Sequence, residues 1–273
     1  MKTGIEEISD EEYFASEGLS NSYLWKLANQ TPAHAQVPTT KTDAMDLGSA
    51  VHLAVLQPEL AGKMIIQGPK DRRGKKWSEL QEDSENAGKV LLVEKDYHTC
   101  MTMRDAVWSQ PTMADLLTGK GTTYEQAAYW EYRDNQCKCK VDVAKPGVIL
   151  DLKTSVDASP RSFAQSVAKY GYHQQAASYS FGWGKASGIP VQTFLFLVIE
   201  KHPPWAAAIY ELDAPTIAEG WASYVAAIEE HTLCVDNNHF PAYPTVKMLM
   251  QLPSYGFKHT NPREINLNNR REN

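Results

Sequence analysis

Two carboxylates and an ammonium are brought together by the stretch Cys137 to Lys153, CKCKVDVAKPGVILDLK. It reads as two strands joined at Ala144-Lys145-Pro146-Gly147, where Pro and Gly supply the turn. Period-2 alternation puts Lys138, Lys140 and Asp142 on one face of the first strand and Cys137, Cys139 and Val141 on the other. On the second strand Ile149, Asp151 and Lys153 share a face, so Asp142, Asp151 and Lys153 converge at one end of the hairpin. Asp151 and Lys153 flank Leu152 in an otherwise apolar run, which partly desolvates both. A partly buried pair of acids repels itself unless a cation sits between them. A hard cation such as Mg2+ takes one or two carboxylates and leaves its remaining positions to water and phosphate. The chemistry suggested is phosphodiester hydrolysis, with Lys153 positioning a water or balancing charge that builds on the phosphate.

An acid-x-Lys tripeptide is a weak signal by itself. With 33 acidic residues in 273 positions, chance gives about two such tripeptides. Asp151-Leu152-Lys153 is the one occurrence, and it stands beside another Asp. An exposed edge strand carrying an ordinary ion pair accounts for the hairpin about equally well. Two further candidates come from neighbouring elements. Glu125 opens a strand that can pair with residues 136–143 and supply a third acid, a role for which Glu131 competes. His52 lies on a helix from about Asp43 to Leu56, where a lone histidine is more often a satisfied core or surface group than a ligand.

The elements that must hold these residues follow from caps, periodicity and breakers. Ser20-Asn21-Ser22 caps a helix to about Asn29. Lys63 to Lys76, with Lys63, Lys70, Arg72, Arg73, Lys75 and Lys76 among Gly and Pro, reads as a basic loop able to hold a nucleic-acid backbone, or as a solvated loop balanced by nearby acids. Residues 86 to 118 read as helical, and Tyr124 to Trp130 as a strand. Ser159-Pro160 starts a helix stopped by Gly171, and a second runs from Tyr172 to about Phe181 with Gln175 and Tyr179 on one face. Val191–Ile199 is a buried strand, Trp205–Leu212 its partner, and Asp213 opens a helix to about Cys234. Residues 235–273, rich in Pro and Asn and ending Arg270-Arg271-Glu272-Asn273, read as an irregular or partly disordered tail. The order implies a mixed α/β fold, one domain over 1–273 with its core at about 19–234.

Composition bounds the function. A net charge of −6 argues against a protein that coats DNA through a basic surface, though a local basic lining still suffices for a nucleic-acid substrate. The four cysteines at 100, 137, 139 and 234 lack the spacing of a zinc or iron–sulfur site and read as buried thiols. No apolar run reaches membrane-spanning length, so a soluble cytoplasmic protein is expected.

Asp142…Asp151-Leu152-Lys153, followed by Tyr170-Gly171-Tyr172-His173 and Gln175-x-x-x-Tyr179, resembles the PD-(D/E)xK nucleases of the RecB-like group, and within it the RecE-type exonucleases of phages and prophages. Leu19-Ser20-Asn21-Ser22 with Pro32-Ala33-His34, the Leu47-Gly48-Ser49-Ala50-Val51-His52 helix and Cys137-Lys138-Cys139-Lys140 match the same pattern, over about 19–230. The resemblance implies a restriction-endonuclease-like core, a central mixed sheet flanked by helices. It makes Asp142, Asp151, His52 and the Leu152 carbonyl the metal ligands, Lys153 the catalytic lysine, Glu125 an additional acid, and Gln175 and Tyr179 the helix residues beside the site. Mg2+ is the implied cofactor, with Mn2+ able to substitute. Neutral His52 is then required, so activity should fall in acid. The implied activity is 5′ to 3′ degradation of linear double-stranded DNA from its ends to mononucleotides, leaving 3′ tails for a single-strand annealing protein. A homo-oligomeric ring around the DNA is also implied, its channel lined by basic groups such as Lys138, Lys140, Arg72, Arg73, Lys75, Lys76 and Arg161. The rival readings are an endonuclease or Cas4-like nuclease of the same superfamily, and a non-catalytic DNA-binding scaffold.

Overall fold

Alternating or continuously apolar segments make the strands, and amphipathic segments with hydrogen-bonding caps make the helices around them. The computed structural model describes residues 1–38, 42–86 and 88–252, of which 1–242 form one unit. The chain begins with β1 (Gly4–Glu7), α1 (Asp10–Ala15), α2 (Asn21–Asn29), α3 (Pro32–Ala35), α4 (Asp43–Leu56) and α5 (Pro58–Met64). It continues with β2 (Ile65–Gln67), α6 (Lys75–Asn86), β3 (Val90–Leu92), α7 (Glu94–Trp108) and α8 (Pro111–Leu117). Next come β4 (Thr123–Tyr132), β5 (Asn135–Lys145), β6 (Val148–Ser155), α9 (Pro160–Tyr170) and α10 (Tyr172–Ser187). The last are β7 (Thr193–Glu200), β8 (Ala207–Glu211) and α11 (Ala214–Asp236).

Six strands form one mixed sheet in the order β1-β4-β5-β6-β7-β8. All neighbours are antiparallel except β6 and β7, which are parallel and joined by the crossover through α9 and α10. A separate parallel pair joins β2 to β3. One face of the sheet buries Trp130, Cys139, Ile149 and Phe196 with Leu24, Phe163, Ala176 and Tyr224 from α2, α9, α10 and α11. The opposite face buries Val143, Leu150, Leu152 and Leu197 with Val51, Val55, Met103 and Leu117 from α4, α7 and α8. Helices therefore cover both faces, and apolar burial on the two sides supplies the main stabilisation. The four cysteines are free and buried, as their spacing suggested.

Local chemistry explains the helix starts. Ser20, Thr31, Ser159 and Asp213 each accept a hydrogen bond from a backbone N–H of the first turn, the cap role of Ser, Thr and Asp. Ser20, from the first of the two N-terminal motifs, is one of these caps. His34 lies 2.6 Å from the Thr31 hydroxyl through Nδ1.

Several boundaries differ from the sequence expectation. The 63–76 stretch is not one loop: Lys63 lies in the last turn of α5, Ile65–Gln67 is β2, and Lys75 and Lys76 begin α6. Residues 86–118 are interrupted by β3, whose three apolar residues are too few to show a period but pair with β2. The acidic segment at the N-terminus hides β1, which pairs with β4. α10 runs past Phe181 to Ser187 because Gly182 lets the helix approach the buried Trp130 ring, which an added Cβ would meet at 2.5 Å. The expected tail starts late. α11 reaches Asp236, and the Pro241 carbonyl accepts from Ala33 N–H at 3.1 Å. Residues 243–252 are irregular, and the Arg270–Asn273 terminus lies outside the described residues.

Gly220 brings α11 onto α10: a Cβ there would stand 2.1 Å from the His173 carbonyl oxygen, a backbone atom that cannot swing aside. Gly62, inside α5, has open space around it. Gly220→Ala should therefore lower unfolding stability by at least about 2 kcal/mol, while Gly62→Ala should raise it by about 0.5–1 kcal/mol through helix propensity. Denaturant titration of both variants checks the opposite signs.

Candidate active site

Beyond the Val143–Leu150 pair, β5 and β6 stop pairing and a gap opens in the sheet. The Leu152 N–H, which a continued ladder would bond, donates instead to Asp142 Oδ2 at 2.7 Å. Within a strand a residue's N–H and C=O point to the same side, so the Leu152 carbonyl faces the gap as well. On the far side of β5, the ladder with β4 skips Glu125 and Asp142 between the Tyr124–Val143 and Gln126–Val141 pairs, and Glu125 adopts φ 51°. The strands change faces at this point: Val141 joins the core under α10 and α11, Val143 the core under α4 and α7. Simple alternation put Asp142 on the face of Lys138 and Lys140. The irregularity at Glu125 turns it into the gap instead.

α4 carries His52 to the same place. His52 Nδ1 stands 3.5 Å from Asp142 Oδ2, and one donor atom each of His52, Glu125 and Asp142 lies within 4.8 Å of the others. Glu125, not Glu131, is the third acid: Glu131 is exposed at the opposite end of β4, paired with Gln136. Asp151 stands beside this triad rather than within it. Its Oδ1 accepts from Gln175 Nε2 at 2.6 Å, and its Oδ2 lies 2.5 Å from Lys153 Nζ, an ion contact without hydrogen-bond geometry. Tyr179, one turn beyond Gln175 on α10, packs its ring edge-on to Phe194 at 6.4 Å.

The charges strain against burial. Desolvation pushes the Asp151 carboxyl up to about 6 despite Lys153, and pushes Glu125 up to about 7 with help from the Asp142 charge. Asp142 goes the other way: burial would raise it, but His52, Lys153 and the Leu152 N–H hold it below the usual carboxylate range. His52 loses hydration, yet Asp142 and Glu125 outweigh that loss and raise the imidazole to about 9. Lys153 is likewise raised, because Asp151 and Asp142 outweigh its burial. Three carboxylates share this space, and burial disfavours the charged form of two of them, Asp151 and Glu125. A divalent cation would favour the charged forms. Carboxylate oxygens with one imidazole fit Mg2+ or Mn2+. A cation binding through His52 must displace its proton.

Two residues near the site were missed as participants. Tyr172 was noted only as part of a motif, yet its ring lies under the Lys153 ammonium, 4.7 Å from centroid to Nζ. Lys140 pairs with Glu125 at 3.6 Å and with Asp10 of α1, a contact across more than a hundred residues that no local pattern signals. Lys140 is therefore committed to the site's own acids rather than to a DNA-lining surface. Lys138 is a clearer correction. It is buried, donates to the Tyr13 and Ser16 carbonyls at 2.8 and 2.5 Å, and so satisfies the C-terminal end of α1 instead of lining a channel. Of the remaining basic candidates, Arg72 pairs with Asp46 at 3.8 Å and stacks over Trp77, and Lys75 pairs with Glu79 at 3.3 Å. Arg73, Lys76 and Arg161 are exposed.

A mixed sheet covered by helices on both faces, with one acid on the first strand of a hairpin and acid-x-Lys on the second, defines the PD-(D/E)xK class of proteins. The chain belongs to the family described as a PDDEXK-like domain of unknown function (DUF3799), which it matches over residues 24–247. No curated protein sequence matches it. Among solved structures it is similar to a protein of Eubacterium rectale provisionally named an exonuclease, with 15% identity and a TM-score of 0.62, over 92% of this chain and 97% of that one. A phage-related exonuclease from Haemophilus somnus 129PT aligns at 12% identity and a TM-score of 0.36, over 84% of this chain and 99% of that one.

If the gap is the cation site, the two glutamates on β4 should behave differently. Glu125→Gln should weaken Mn2+ binding at least about tenfold, whereas Glu131→Gln should leave it unchanged. Isothermal titration calorimetry on the three proteins reads both.

Proposed function

We propose that this protein is a divalent-metal-dependent deoxyribonuclease that hydrolyses linear double-stranded DNA from 5′ ends, leaving 3′ single-stranded tails. The observation that carries the nuclease reading is the gap between β5 and β6. There His52, Glu125 and Asp142 cluster, and Asp151 holds Lys153 beside them. The 5′ to 3′ direction, Mg2+ as the native ion, the ring-shaped oligomer and the annealing partner rest on the resemblance of the motif set to RecE-type exonucleases. The E. rectale neighbour's name agrees with exonucleolytic chemistry.

The residues divide the work as follows. His52, Glu125, Asp142 and the Leu152 carbonyl would hold the cation, with Asp151 at its edge. When bound, the cation supplies Lewis acidity toward the phosphate and lowers the pKa of a bound water. Asp142 cannot rotate away, because Leu152 N–H holds it. Gln175 does the same for Asp151, leaving that carboxylate to orient Lys153. The Lys153 ammonium, kept charged by its acidic neighbours and seated over Tyr172, can hold the attacking water by donating to it and can meet the negative charge that grows on the phosphate. Since the chain has net charge −6, binding of DNA depends on local cationic groups rather than on its overall field.

Two measurements test this reading. With Mg2+ present, a linear duplex labelled at either end should lose its 5′ label first, as mononucleotide, while a covalently closed circle survives, and Lys153→Ala should be slower by about 10²–10³-fold. Cutting of the closed circle would instead make the protein an endonuclease, and DNA binding without cutting would make it a scaffold. Gln175→Ala, which only frees Asp151, should cost about 10–100-fold in rate with the fold intact by circular dichroism.

A further inference from the structure

The outward side of α7 carries a polar stripe, away from its buried Cys100, Met103 and Val107. Lys95, His98, Thr99 and Thr102 stand at i, i+3, i+4 and i+7, one face of the helix, and together they line a groove of about 600 Å³. The opposite wall is Lys201, His202, Pro203 and Trp205 from the segment between β7 and β8. Asp96 is the one acid in the lining; the other polar side chains can all donate a hydrogen bond. Trp205, half-buried, holds φ 61°, an unfavourable backbone state for a bulky residue and one that tends to persist where function needs it.

Lys201 lines this groove and also a cavity beside the active site. Lys201 follows β7 directly, and its N–H donates to the Ser155 carbonyl at the end of β6, at 2.9 Å. Its side chain also lines a second cavity, of about 250 Å³, shared with Lys153, Tyr172, Ser162 and Ser166. That cavity lies outside the carboxyl ends of the only parallel strand pair of the sheet, where α/β folds place ligands. Two lysines and an indole in one groove, with one of the lysines also lining the cavity of Lys153, fit the chemistry of a single nucleic-acid strand: phosphates on the ammoniums and a base against the indole.

We propose that the groove between α7 and the β7–β8 segment is a single-strand track, in which Lys95 and Lys201 each hold a backbone phosphate and Trp205 stacks a base. This rests on the nuclease reading for its purpose but is tested by binding alone. Fluorescein-labelled dT12 is titrated by anisotropy with the full chain in EDTA, so that no cleavage occurs, across a range of salt concentrations. Relative to wild type, Lys95→Ala/Lys201→Ala should lower the slope of log K against log salt by about 1.4, from two lost single-strand phosphate contacts. The charge-matched control Lys120→Ala/Lys185→Ala, at exposed positions outside the groove, should keep the wild-type slope, and Lys95→Arg/Lys201→Arg should restore it. A groove variant whose slope equals that of the control overturns the proposal. Metal-dependent hydrolysis of bis(p-nitrophenyl) phosphate by wild type, a diester too small to reach the groove, reports on the catalytic site separately. Its absence would count against the nuclease reading while the salt slopes still decide the track.

Discussion

One exchanged hydrogen bond organises the site. Where β5 and β6 separate, Asp142 accepts the Leu152 N–H in place of a backbone carbonyl, so a side chain completes the sheet. An unpaired N–H at this depth would cost about 1–3 kcal/mol, and satisfying it with a carboxylate fixes that carboxylate at the mouth of the gap. The neighbouring interactions depend on this placement: His52 pairs with the held Asp142, Glu125 stands close to both with its unusual φ, and Asp151 and Lys153 follow on β6 as a sheltered pair.

The same arrangement explains the charge pattern. Burial raises the pKa of Glu125 and of Asp151 and the neighbouring Asp142 charge adds to it, while among the described residues the ammoniums of Lys140 and Lys153 and the His52 imidazole oppose it. Lys153 is held by Asp151 and the Tyr172 ring, and Lys140 by Glu125 and Asp10. On the nuclease reading the site is preorganised for a cation and for a phosphate that follows it, in a molecule whose overall charge would repel DNA.

Much of this was legible in the sequence because the hairpin obeys period 2 and its turn residues are diagnostic. Asp151 and Lys153 were placed together by alternation alone, and Ser159-Pro160 and Asp213 marked helix starts that the structure keeps. What could not be read depends on contacts distant in sequence or on broken periodicity. Lys138 and Lys140 looked like solvent-facing cations until α1 folded over them, because Asp10 and Tyr13 lie more than a hundred residues away. The reversal of faces at Glu125 and Asp142 is a backbone irregularity that no residue type announces. His52 could be assigned to the site only by resemblance, since a single histidine on a helix carries no spacing information of its own.

The most direct measurement is the anomalous scattering of a crystal grown with Mn2+. The expected result is a peak in the gap between β5 and β6, in contact with Asp142 and at least one of His52, Glu125 and Asp151. Mn2+ found only at surface acids, with the gap empty and Asp151 still paired to Lys153, would contradict the claim that this opening in the sheet is a metal site.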